Sequence, residues 1–124
     1  MSAGRRSLGV FWLVAGTMHF VAPRFYDAIM PGPLRRWARP LTYASGVAEL
    51  AGGAAVLHPR GHRVARWWLL GTLAAVYPAN IHMALHPERY PRFPAWALWA
   101  RLPLQFLAAW HVWKGTEKSS IGLR

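Results

Sequence analysis

The sequence predicts an all-α protein, a four-transmembrane-helix bundle with a short interfacial helix between the first and second spans. Three observations predict it. Of 124 residues only 15% are charged and 54% are hydrophobic, whereas a soluble domain of this size carries about a quarter charged residues. Lys and Arg are segregated between the apolar runs or at the termini: Arg5, Arg6, Arg24, Arg35, Arg36, Arg39, Arg60, Arg63, Arg66, Arg89, Arg92 and Lys114 all flank apolar segments. The eight Trp and four Tyr fit the third feature, since amphipathic rings concentrate at the membrane–water interface and Trp67, Trp68, Trp96, Trp99, Trp110 and Trp113 lie near segment ends.

The whole chain, residues 1–124, reads as one membrane domain. Its first helix, about residues 7–22, follows Arg5-Arg6 and contains His19. Three further apolar runs behind it favour a retained span over a cleaved signal. The connector, residues 23–40, is broken by Pro23, Pro31, Gly32, Pro33 and Pro40. Its start, with Phe25 and Ile29 at i, i+4 spacing, predicts a short in-plane helix over the bundle mouth. The second helix, about 41–57, is rich in small residues. The third, about 64–86, carries Pro78, and the fourth, about 95–113, carries Arg101 and Pro103. The runs are near the lower limit of about 20 residues for a span, but Leu69 to Tyr77 lacks the polar stripe of a soluble amphipathic helix.

The formal charge of +11 raises nucleic-acid binding, yet the juxtamembrane placement of the arginines makes anionic lipid headgroups the simpler partner and argues against nucleic acid. No cysteine is present. That excludes thiol redox chemistry, thiolate metal sites and iron–sulfur centres. Four crossings put eight basic residues (Arg5, Arg6, Arg60, Arg63, Arg66, Lys114, Lys118, Arg124) on the side of the termini and six on the other. A cell-membrane protein with both termini cytoplasmic is the orientation this balance favours.

Ionisable groups inside apolar runs are expensive unless paired or turned toward a cavity. The candidate ligand-binding residues are therefore His19, Glu49, Asn80, Arg101 and Gln105. Helical rise places all five within about 15 Å of the side opposite the termini, so each helix contributes to one half of the bundle. Ser45, Gly46, Glu49, Gly52 and Gly53 form a small-residue stripe on the second helix. Such stripes mark close helix approach; Arg101, Gln105 and Ala108 share a face on the fourth helix, and Gly9, Gly16 and His19 share one on the first. Glu49 and Arg101, at similar depth, form the expected ion pair. Pro78 and Pro103 free the carbonyls of Ala74 and Trp99. His58/His62 and His82/His86 have i, i+4 spacing, but Pro59 and Gly61 interrupt the first pair and Pro87 ends the second. No acid lies between either pair as in a metalloprotease motif, so no metal site and no catalytic residue is assigned.

In their order, Gly16-Thr17-Met18-His19-Phe20 with Pro23 and Phe25, Ser45-Gly46-Val47-Ala48-Glu49 with Gly52-Gly53, Pro78-Ala79-Asn80-Ile81-His82-Met83 and Arg101-Leu102-Pro103-Leu104-Gln105 resemble the DoxX-like family of small four-helix membrane proteins. The likeness runs from about residue 5 to 114. It implies a four-helix membrane fold and, through some relatives, an association with respiratory or sulfur redox systems. Two expectations follow. One is an accessory or binding subunit, not an enzyme alone, whose intramembrane polar pocket takes a quinone or a lipid headgroup and serves a membrane oxidoreductase partner. The other is a structural or assembly factor, with the polar set holding only its own fold. A homo-oligomer is compatible with either.

Overall fold

The computed structural model describes residues 2–117. It is all-helical: α1 (Ala3–Val21), α2 (Pro23–Ala28), α3 (Ala38–Leu57), α4 (His62–Leu85) and α5 (Ala95–Gly115), with 3₁₀ turns at Gly32–Trp37 and Pro87–Arg89. The four long helices form an antiparallel bundle in which α1 packs on α3, α3 on α4, α4 on α5 and α5 back on α1. The short α2 lies against α1 and α3, where the connector was expected to cover the bundle mouth. Lys118 and Arg124, used for the orientation above, lie outside the described residues.

Helix boundaries shift from the sequence reading by up to four residues, and α4 starts at His62 instead of about 64. α1 begins four residues before position 7, because Ser2 caps it by accepting the Arg5 backbone N–H at 3.1 Å. α3 begins at Ala38 and includes Pro40 in its first turn, where a proline removes no intrahelical hydrogen bond. α5 continues to Gly115. Both interior prolines, Pro78 and Pro103, sit within continuous helices.

The α1–α3 contact has the closest approach. A Cβ on Gly16 would lie 2.8 Å from the Leu50 backbone nitrogen and 2.9 Å from the Gly46 carbonyl oxygen, and one on Gly53 3.0 Å from the Gly9 carbonyl oxygen. Backbone meets backbone there: Gly46 and Gly53 of the small-residue stripe face α1, while Gly52 faces Leu69 and Trp68 of α4.

At the end carrying the termini, Leu8, Trp12, Val56, Ala65, Leu69, Leu73 and Val112 form a dry core. Two arginines close that end. Arg5, read from the sequence as a headgroup ligand, is instead buried at 4% exposure and donates through Nε to the Val56 carbonyl at 2.6 Å and through Nη2 to that of His58. Arg66 donates to Thr116 Oγ1 at 3.0 Å and to the Trp113 carbonyl at 3.1 Å, with its guanidinium 3.8 Å from the Trp113 ring centroid. Both cations sit on the carbonyl-rich C-terminal ends of α3 and α5, where charge and unsatisfied acceptors favour them. At the opposite end Met83, Ala84, Tyr90 and Leu98 form a smaller cluster with Ile29, Phe93 and Leu102.

Among the described residues, no helix is long and apolar enough to cross a membrane. The polar residues within the helices, together with Gly, Pro, Trp and Tyr, lower the mean hydropathy of each. The outer surface is nevertheless apolar. Among the described residues twenty-three large hydrophobic side chains are exposed, among them Phe11, Val47, Trp96, Phe106 and Trp110, against twelve hydrophobic residues buried.

Two glycine substitutions test this packing. Gly16→Ala should lower stability by about 1–3 kcal/mol, the cost of overpacking a tight contact. Gly71→Ala, where an added Cβ meets nothing within 4 Å, should be neutral or stabilising by up to about 1 kcal/mol through helix propensity. Thermal unfolding midpoints of the purified variants, measured under one set of conditions, read both.

Candidate functional site

Between the dry core and the connector the four helices stand apart around a cavity of about 480 Å³. α1 contributes Ala15 and His19, and the connector Tyr26, Ile29, Met30, Pro31 and Leu34. α3 adds Leu41, Thr42, Ser45 and Glu49. Ala75, Val76, Ala79, Asn80 and Met83 come from α4 and Arg101 from α5. A second cavity of about 360 Å³ shares Ala15, Glu49, Val76, Asn80 and Arg101 with it and continues between Phe11, Trp12, Leu73, Leu104 and Ala108. Volumes of this order, apolar walls and few convergent polar groups are the features of small-molecule sites.

Four of the five sequence-derived residues, His19, Glu49, Asn80 and Arg101, line the first cavity. Gln105 does not line the first; it lines the second and a third cavity between α4 and α5. Their pairing differs from the expectation. Glu49 does not pair with Arg101: its Oε2 lies 3.0 Å from His19 Nε2. The close α1–α3 approach brings these two side chains together, whereas Arg101 stands across the cavity on α5.

The proton count of that pair follows from geometry. His19 Nδ1 lies 2.8 Å from the Ala15 carbonyl oxygen, which can only accept, so Nδ1 carries hydrogen. Two lone-pair-bearing atoms at 3.0 Å then require one proton between Nε2 and Oε2. Whether it resides on nitrogen or oxygen, the pair as a unit is neutral.

Asn80 and Gln105 close a second pair across α4 and α5. Asn80 Nδ2 donates to Gln105 Oε1 at 3.0 Å, and Gln105 Nε2 donates to the Leu73 carbonyl. That acceptor is one residue before the Ala74 carbonyl that Pro78 deprives of its helical donor. Arg101 differs from all of these. Its one hydrogen bond among the described residues runs from Nη1 to Met83 Sδ at 3.3 Å, a weak acceptor for a guanidinium with five N–H donors.

The sequence reading missed the residues that hold the connector in place. Tyr26 stacks on His19 with ring centroids 3.8 Å apart and planes inclined by 17°. Burial pushes its phenol above the ordinary range, with the charge of Glu49 adding and that of Arg101 opposing, so at neutral pH it is a hydrogen-bond donor facing the cavity. Asp27 accepts from Arg39 Nε at 2.8 Å and from Thr42 Oγ1 at 2.7 Å, fastening α2 to the first turns of α3. Phe25 meets Phe93 edge-on at 5.7 Å, and the Tyr90 hydroxyl donates to the Met30 carbonyl at 3.3 Å. One signal was available: Asp27 is an isolated acid in a connector otherwise charged only by arginines.

Neither histidine pair is joined by a third His, Asp or Glu side chain among the described residues. His58 is the C-cap of α3 and His62 opens α4, so the intervening turn separates them. His82 and His86 have ring centroids 4.4 Å apart, but among the described residues no three His, Asp or Glu side chains converge.

These features define a small helical-bundle protein with an internal, largely apolar cavity holding one cation. The chain belongs to the family described as a domain of unknown function, DUF8561, whose model matches residues 8–115, a span that takes in α1 from Leu8 onward, the connector and the other three long helices. Searches of curated proteins and of solved structures find no match.

Asp27 gives this site a pH dependence. Desolvation pushes its carboxyl upward, but the hydrogen bonds from Thr42 and Arg39 and the Arg39 charge outweigh that and hold it below the ordinary range. Because the folded value lies below the unfolded one, of about 3.9, the stabilisation is complete above that pH and is lost as pH falls through the folded value. The wild-type thermal midpoint should therefore drop on acidification below about pH 4. Asp27→Asn should start lower at pH 7 and show a smaller acid-induced fall.

Proposed function

We propose that the protein is an integral membrane protein whose four long helices cross the bilayer, and that it acts as a binding or accessory subunit rather than as an enzyme alone. Its cavity accepts the polar head of a quinone or a lipid. Support for the membrane comes from the distribution of side chains. Between Leu8 and Val21, Leu41 and Leu57, Trp67 and Leu85, and Ala95 and Trp113, the only Asp, Glu, Lys or Arg residues are Glu49 and Arg101, and both line the cavity. Arg24, Arg35, Arg36, Arg39, Arg60, Arg63, Arg89 and Arg92 are exposed at the two ends, as headgroup contact requires. Helices of 19 to 24 residues reach about 28–36 Å at 1.5 Å per residue, close to the hydrocarbon thickness of about 30 Å. In water, each exposed large apolar side chain would forgo about 1.5–3 kcal/mol of burial; in lipid it forgoes nothing of that kind.

Support for binding rests on one observation, the Arg101 guanidinium facing a cavity of about 480 Å³ with a thioether as its one hydrogen-bond partner. Service to a membrane oxidoreductase rests on the resemblance to the DoxX-like family. The competing scaffold reading is favoured by the His19–Glu49 and Asn80–Gln105 pairs, each of which ties two helices together. It leaves Arg101 unexplained.

Extraction tests both halves. The protein should stay in the membrane fraction through an alkaline wash and require detergent to dissolve; recovery in the aqueous phase without detergent overturns the membrane reading. Mass spectrometry of gently purified protein should find a retained quinone or lipid at near-stoichiometric level. Ala79→Phe, which fills the cavity from α4, should lower that occupancy about tenfold or more, in proportion to the contacts it displaces, while the thermal midpoint in detergent stays within a few degrees. Unchanged occupancy in a stably folded Ala79→Phe protein places the ligand elsewhere.

A further inference from the structure

We infer that the cavity's ligand is a singly charged anionic amphiphile, a carboxylate or phosphate head on an alkyl chain, with the head on Arg101. This rests on the cavity-binding reading above and narrows it, since a neutral quinone would leave the cation uncompensated.

The chain contains four acidic residues, and none neutralises Arg101. Asp27 is engaged by Arg39 and Thr42. Glu117 lies 3.5 Å from Lys114 at the far end of the bundle. Glu88 is exposed in the Pro87–Arg89 turn. Glu49 shares one proton with His19, and that unit is neutral. A guanidinium cannot shed its charge as lysine can. Held among Ala15, Val76, Ala79 and Met83, it is costly without a counter-charge.

The surrounding groups also suit an acid head. Asn80, beside Arg101 in both cavities, has one of its amide hydrogens on Gln105, which leaves a second N–H for an anion. The Tyr26 hydroxyl, in the cavity wall, is a further donor. Away from Arg101 the second cavity is walled by Phe11, Trp12, Leu73 and Leu104, a path suited to an alkyl chain. An anion with a single chain uses both ends of this space: the head meets the cation and amide, and the chain meets apolar walls.

The test uses the purified full-length chain in a non-ionic detergent at 0.15 M salt, titrated with hexadecanoate, monohexadecyl phosphate, hexadecanol and a short-chain benzoquinone, with Trp fluorescence and native mass spectrometry as readouts. One or both anions should bind, and whichever binds more tightly identifies the head as carboxylate or phosphate. Hexadecanol and the quinone should bind about tenfold to a hundredfold more weakly, the range expected for hydrogen bonds to a charged group. Arg101→Gln should weaken the anion by a similar factor, and Arg101→Lys should retain most of the affinity. If hexadecanol or the quinone binds as tightly as the anions, or if Arg101→Gln leaves anion affinity unchanged, the inference is overturned while the binding site stands. If no probe binds the wild-type protein, the cavity reading falls with it. Should Arg101→Gln fail to fold, the comparison of charged with neutral probes on the wild-type protein still decides.

Discussion

Everything distinctive in this bundle depends on how closely α1 and α3 approach. Glycines at positions 16, 46 and 53 let the two backbones touch, and side chains larger than hydrogen cannot occupy those contacts without displacing main chain. That approach sets His19 and Glu49 at 3.0 Å. It also fixes the other side of the bundle. With α1 and α3 tightly joined, the remaining width is taken up between them and α4 and α5, and the cavities lie there.

The molecule divides along its axis into two ends with different physics. At the terminal end a dry cluster is closed by Arg5 and Arg66, each placed on the carbonyls of a helix terminus. These arginines complete hydrogen bonding that helix geometry leaves open, so their charge serves the fold. At the connector end the polar side chains turn inward and the packing opens into a cavity. Tyr26, by stacking on His19, and Asp27, by gripping α3, hold the connector as a wall of that cavity.

Within the cavity the polar residues separate into two kinds. His19 with Glu49 and Asn80 with Gln105 are polar pairs that cross helix interfaces, with Gln105 donating onward to the Leu73 carbonyl. Buried polar pairs of this sort fix register as well as they serve any ligand. Arg101 belongs to neither pair. Its isolation makes it the centre of the functional argument, because a fixed charge next to apolar walls is stable only with an opposite charge close by.

The sequence by itself determined the four long helices, the connector between the first two, the inward turn of His19, Glu49, Asn80 and Arg101, and the small-residue stripe on α3, though not that part of it packs on α1. These follow from composition and from one-dimensional spacing, which helical periodicity converts directly into faces. It did not determine who pairs with whom. Depth along the axis made Glu49 and Arg101 look like partners, but depth carries no information about azimuth, and only the rotation of α1 against α3 decided that His19 reaches Glu49 first. Azimuth and end-to-end reach also explain Arg5, whose long side chain crosses to the C-terminus of α3, and Gln105, which turns to Asn80 and the Leu73 carbonyl instead of the larger cavity. Partner choice across a bundle is a property of helix rotation and side-chain reach, and those exist only once the four helices have packed.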